Sequence, residues 1–168
     1  SYNIRSNTVK HTWAYKNVPA LKDENYITSL SNYIQTFDIQ LLALRFTAQP
    51  PETFMSTWPE TVDQLMKDED FGADLNKENG WLKDDIKLAI DGETDAANKA
   101  KKIYEYVRDN YTCTDYSAIY LSQSLKKTGQ LKKGNVVDIN MLLVAMFRLA
   151  GYNANPVLLS TREHGKAF

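Results

Sequence analysis

The chain has 168 residues, 43% of them hydrophobic, enough to fill the core of one ordinary domain or of a small domain plus part of another. With 20 basic against 21 acidic residues and no basic stripe, its net charge of −1 excludes nucleic acid as the main partner, since phosphate binding needs a concentrated positive patch. One cysteine and two histidines rule out an internal disulfide and a zinc site of ordinary spacing, and no apolar run approaches the ~18 residues of a membrane span.

Residues 1–52 are rich in Thr, Tyr, Val, Ile and Phe and poor in helix signals. Val9, His11, Trp13 and Tyr15 alternate with Lys10, Thr12, Ala14 and Lys16, which predicts a half-buried strand ended by Asn17-Val18-Pro19. Tyr33 to Phe46 reads as a second strand, built around Phe37, Ile39, Leu41 and Leu42-Ala43-Leu44. Two strands alone are marginal in water. They are expected to pair with a domain missing from this chain, to pack on the helical part, or to pair between copies. Pro50-Pro51 marks a boundary, because proline neither donates to a ladder nor sits inside a helix.

Beyond it the period becomes helical. Thr57 with Pro59 and Glu60 is a capped helix start, and Val62, Leu65 and Met66 form its apolar face. Leu82, Ile86, Ala89 and Ile90 mark a short helix ended by Asp91-Gly92. Thr94 to Asn110 carries the clearest period, with Ala96, Ala100, Ile103, Tyr104 and Val107 on one side. Tyr116 to Lys127 leans helical but is mixed. Asn135 then caps a helix running from Val136 to Ala150, stopped by Gly151. Apolar residues point in nearly every direction around that helix, which predicts a central, buried one. Val157 to Arg162 reads as a strand packed on it.

Gly134-Asn135-Val136-Val137-Asp138-Ile139-Asn140-Met141-Leu142-Leu143 and Leu149-Ala150-Gly151-Tyr152-Asn153-Ala154-Asn155-Pro156-Val157 resemble the core of transglutaminase-like domains, in the papain-like cysteine-enzyme superfamily. Ile103 to Tyr111 is similar to the helix that precedes that core. Ser160-Thr161-Arg162-Glu163-His164-Gly165 resembles a strand end of a bacterial branch that carries an all-β domain upstream, and His11 to Leu21 looks like the end of that β domain. The resemblance implies an α+β fold: the mostly helical portion of a transglutaminase-like (papain-like) fold over residues 53–168, truncated after its first core strand. Strands of an adjoining β-sandwich-like domain would precede it over residues 1–52.

Family members place a cysteine at the amino end of the buried helix, where the helix dipole raises the thiolate fraction. A histidine and an aspartate on the two following strands complete the triad. The position matching the cysteine is Val136, and the matching histidine and aspartate are expected beyond the last residue, Phe168. The resemblance therefore implies no catalytic residues here. It implies a non-catalytic module of a larger, exported protein (periplasmic, cell-envelope or secreted) acting in binding or structure. The alternative is a fragment of a cysteine protease or transglutaminase-type enzyme. Candidate ligand-binding residues are Asn135, Val136, Asp138, Arg162 and His164, for a peptide, protein or glycan. No cofactor and no metal is expected, and residues 1–52 are expected to contact a second copy or the missing domain.

Each candidate also has a plainer reading. Asp138 is a helix-start carboxylate that Arg162 could pair with. His164 is a solvated or locally bonded imidazole, and His11 is structural. Cys113 follows a helix C-terminus, where the dipole disfavours a thiolate, and reads as a small packing residue.

Overall fold

The computed structural model describes residues 9–22, 26, 29–34, 39–46, 49–54 and 57–159. The chain divides into two compact units, residues 1–39 with 159–168, and residues 40–158. In the first unit the only regular element among the described residues is the 3-10 turn Leu30–Asn32. Among the described residues the expected strand at 9–16 joins no ladder, and it is exposed rather than half-buried. Alternation nevertheless survives in the backbone, because the His11 and Trp13 rings stack with centroids 5.8 Å apart. Residues two apart share a side of the chain only when it is extended.

The second unit begins with a small antiparallel pair, β1 (Ala43–Leu44) with β2 (Glu52–Thr53). The strand expected over 33–46 is thus two residues long where described, and residues 35–38 lie outside the described set. Pro50-Pro51 falls in the connection of this pair, where the missing N–H donors cost the ladder nothing.

Five α-helices follow among the described residues. Helix α1 (Trp58–Lys67) starts as expected: Thr57 Oγ1 accepts from the Glu60 amide while the Glu60 carboxylate accepts from the Thr57 amide at 2.9 Å. Leu65 and Met66 turn its apolar side to the core. Two 3-10 turns, Ala73–Asn76 and Gly80–Leu82, lead into α2 (Lys83–Ile90), which ends where Asp91 and Gly92 both take positive φ. Helix α3 (Ala96–Asn110) is capped by Asp95, whose carboxylate accepts from the Asn98 amide at 2.9 Å, and it buries Ile103 and Val107. A short parallel pair then joins β3 (Thr112–Cys113) to β4 (Lys133–Gly134), with Cys113 opposite Gly134.

Between those strands, the helix-leaning stretch 116–127 is irregular as far as its Ser124 cap. Only then does α4 (Leu125–Leu131) begin. Helix α5 (Val136–Leu149) is where its sequence places it, but it is not buried all round. Val137, Asp138, Met141, Leu142, Ala145 and Met146 bury one side against α2, α3 and α4. On the other side Ile139, Leu143 and Phe147 are half-buried and Asn140 is exposed. The most deeply buried apolar side chains are Leu82, Ile103, Leu125, Leu142 and Met146, and α5 stands at the centre of the core as expected, packed on α2, α3 and α4, though one of its sides stays partly exposed. Residues 157–159 form no strand, and the rest of that expected element, 160–162, lies outside the described residues.

Candidate functional site

The amino end of α5 is built by Gly134 and Asn135. Asn135 accepts the Asp138 amide on its side-chain oxygen at 2.8 Å, and the Asp138 carboxylate accepts the Asn135 amide at 2.8 Å. This reciprocal cap satisfies two of the donors that a helix start leaves orphaned. A Cβ on residue 134 would stand 2.6 Å from Asp138 Cβ and 2.7 Å from Oδ2, so only glycine lets the carboxylate fold back over the turn.

Asp138 does more than cap. Its side chain is fully buried, and it also accepts from the Ser122 amide at 2.9 Å and the Ser122 hydroxyl at 2.6 Å. Its described partners are thus neutral donors, not a cation; Arg162 and His164 lie outside the described residues. Three donors satisfy the oxygens of this buried carboxylate, so no cation is needed to hold it in place. The sequence reading took Asp138 for a helix-start carboxylate and missed this second role.

Together these bonds strap residues 114–124 across the end of α5. Thr114 N donates to Gly134 O at 2.8 Å, and Asn135 Nδ2 donates to Tyr120 O at 2.9 Å. The Val136 amide donates to Asp115 O at 2.8 Å. Leu121 N, farther along, is anchored on Asp70 O at 2.7 Å. So the first amide of α5, the group that would face an anion or a developing negative charge there, is spent on a backbone carbonyl. Val136 itself is half-buried at the first helical position and carries no nucleophilic atom.

The single thiol lies nearer to this point than the sequence implied. Cys113 does follow α3, but pairing of β3 with β4 sets it against Gly134, at the approach to α5. Its Sγ donates to Asp115 O at 3.4 Å, the same carbonyl that holds the Val136 amide. Chain-order reasoning assigned Cys113 the end of one helix; the parallel ladder gives it the start of another. No group of three metal-ligating side chains forms among the described residues.

Residues 84–167 match the sequence model of the transglutaminase-like superfamily, which is half of the 168-residue chain. The chain belongs to the transglutaminase-like superfamily. Neither a curated protein nor a solved structure matches it. The matched span runs from α2 past the end of α5, so α3, α4, the β3–β4 pair and the helix bearing Val136 in this transglutaminase-like chain fall inside the region the family defines.

Two further groups shape the surroundings. Lys132 closes α4 in the left-handed region (φ 52) and sends Nζ to Tyr111 Oη at 2.9 Å, and to Tyr106 Oη and Asp85 Oδ2 at 3.2 Å each. Tyr106 Oη in turn donates to Asp85 Oδ1 at 2.6 Å. Burial alone would lower the Lys132 pKa, but its bonds to Tyr111, Tyr106 and Asp85 outweigh that and raise it. Burial raises the Tyr111 and Tyr106 phenols, the second helped by its bond to Asp85. A lysine so held is a cation and a poor nucleophile. It pins α2, α3 and the entry to β4 together.

A cavity of about 210 Å³ opens beside the strap, lined by Glu69, Asp70, Asp74, Lys77 and residues 121–124. Asp74, its buried member, is occupied: it accepts from the Leu125 amide at 3.0 Å and pairs with Lys77.

Proposed function

We propose that this chain is a non-catalytic transglutaminase-like module that acts in binding or structure within a larger, exported bacterial protein. The observation that carries the reading is the blocked amino end of α5. An aliphatic Val136 stands at its first position, and its amide already donates to Asp115 O at 2.8 Å. Nucleophilic acyl transfer needs a reactive atom and a free oxyanion donor at one place, and here both are replaced by strap contacts. We place a ligand surface, for a peptide or glycan, at the half-buried Val136 rather than at Asn135 and Asp138, which are buried and whose side chains are bonded to the strap and to each other's amides. Residues 1–52 would supply a second contact.

The test is an assay of amine incorporation and peptide hydrolysis with and without iodoacetamide. No thiol-dependent turnover is expected; its appearance would overturn the reading.

One observation favours the rival, an enzyme fragment: Cys113 lies against Gly134 and shares the Asp115 carbonyl with the Val136 amide. Cys113→Ala separates the two. Under the rival it abolishes turnover; under the reading proposed here it changes nothing but local packing.

A further inference from the structure

Residues 112–122 have their backbone tied down while most of their side chains stay exposed. Thr112 N donates to Lys132 O at 3.0 Å, Thr114 N to Gly134 O at 2.8 Å and Ser117 N to Asp115 Oδ1 at 2.8 Å. Leu121 N donates to Asp70 O at 2.7 Å and Ser122 N to Asp138 Oδ1 at 2.9 Å. From this pinned segment project Tyr116, 80% exposed, Ile119, 55%, and Tyr120, 51%. Rings carried on a fixed backbone lose little freedom when a ligand binds, and a tyrosine offers a large contact area at the cost of two torsions. Tyr116 and Tyr120 are four positions apart, so their Cα atoms lie within about 14 Å of each other, the reach of a short oligosaccharide.

The chemistry around the rings is neutral. Asp115 is the only charged side chain between Tyr111 and Ser124, and its carboxylate is taken up by the Ser117 amide and hydroxyl at 2.8 Å each. An ionic ligand therefore finds no fixed countercharge on this segment. A peptide adding as a strand needs a row of free main-chain donors, and those at 112, 114, 117, 121 and 122 are already used. The hydroxyls of Thr112, Thr114, Tyr116 and Tyr120, by contrast, have no hydrogen-bond partner among the described residues. Apolar ring faces interleaved with free hydroxyls match an uncharged sugar, whose C–H faces lie against rings and whose hydroxyls both donate and accept.

We infer that Tyr116, Ile119 and Tyr120, with the hydroxyls of Thr112 and Thr114, form a binding site for a neutral glycan. This names the ligand class for the surface proposed at Val136, whose amide is bonded to the same segment at Asp115 O, and it rests on the binding half of that reading.

Calorimetric titration of the full chain with neutral hexasaccharides of glucose, of xylose and of N-acetylglucosamine tests it. The expected result is that at least one binds, that Tyr116→Ala and Tyr120→Ala each weaken it about tenfold or more, and that Tyr116→Phe, which keeps the ring, stays within about threefold of the parent. Tyr104→Ala, which removes an exposed ring carried by α3, should change nothing. Each variant should keep the thermal melt of the parent, because the removed rings bury little. No binding of any of the three sugars up to about 1 mM, or binding undiminished in Tyr116→Ala and Tyr120→Ala, would overturn the inference. So would a proline-rich peptide that binds in place of the sugars with the same dependence on the tyrosines, which would make a peptide the occupant. Thiol-dependent turnover by a chain that binds sugar in this way would overturn the non-catalytic reading alone, so the two fail separately.

Discussion

Replacing Asp138 tests the strap most directly. The carboxylate is fully buried and accepts from the Ser122 amide, the Ser122 hydroxyl and the Asn135 amide at 2.6 to 2.9 Å. Hydrogen bonds to a charged group contribute about 1.5 to 3 kcal/mol each, and a buried donor left unpaired costs about 1 to 3 kcal/mol. In Asp138→Ala two backbone amides lose their acceptor and the helix loses half of its cap. Because the three bonds share one side chain they do not add in full, and the expected loss is about 3 to 5 kcal/mol. Asp138→Asn keeps the shape and one acceptor but turns an NH2 toward a donor, for about 2 to 3 kcal/mol. Urea unfolding followed by circular dichroism reads both. A cycle with Ser122→Ala isolates the strap, with an expected coupling of about 1 to 2 kcal/mol. Hydrogen exchange at the Ser122 and Asn135 amides should accelerate in either Asp138 variant while α3 amides keep their protection relative to global unfolding. A loss below about 1 kcal/mol for Asp138→Ala, or zero coupling to Ser122, would refute the claim that this carboxylate holds residues 114–124 to α5.

Gly134→Ala should destabilise by about 2 to 4 kcal/mol, because its Cβ would lie 2.6 Å from Asp138 Cβ in a turn that cannot shift without breaking the cap; a thermal melt within error of wild type would contradict this. Val136→Cys should not create turnover, since the amide at that position stays bonded to Asp115 O; iodoacetamide-sensitive hydrolysis or amine incorporation by that variant would be decisive against it. The Lys132 cluster predicts an alkaline limit. Its lysine and both tyrosines have folded-state pKa values raised above their ordinary ones near 10, so its contribution to stability is fully present below about pH 9 and is lost as pH climbs through the raised values. Urea midpoints at pH 8 and pH 11 should therefore differ less in Tyr111→Phe than in wild type, and an unchanged difference would exclude the cluster as the cause.

Features encoded by neighbours in sequence were legible without coordinates. The Thr57–Glu60 capping box, the Asp91-Gly92 stop and the Asn135 start of α5 all appear where their local chemistry sets them. Features that depend on distant partners were not. Residues 116–124 carry enough apolar and helix-tolerant side chains to suggest a helix, but Asp115 and Ser117 bond each other and Ser122 is claimed by Asp138 sixteen positions on. That side-chain competition for local amides is what keeps serine and aspartate out of helix interiors, and the Ser-rich stretch ending in Ser124 was its available signal. Burial of α5 was misjudged for a different reason. Its apolar residues face two directions: the row holding Met141, Leu142, Ala145 and Met146 is fully buried, whereas Ile139, Leu143 and Phe147 pack at the edge of the core and stay half-buried. For the candidate site, the residue at the helix start was readable, whereas the carbonyl that occupies its amide was not, because Asp115 reaches it only through the β3–β4 pairing.

The left-handed backbone at Lys132 has a consequence for anyone who would harden this domain. Standard practice swaps a residue at such a φ for glycine and gains stability from relaxed torsion. Here the swap would also delete the ammonium shared by Tyr106, Tyr111 and Asp85. The gain at one bond of the main chain would release three side chains from α2 and α3, so a rule that succeeds at most helix ends would loosen this one.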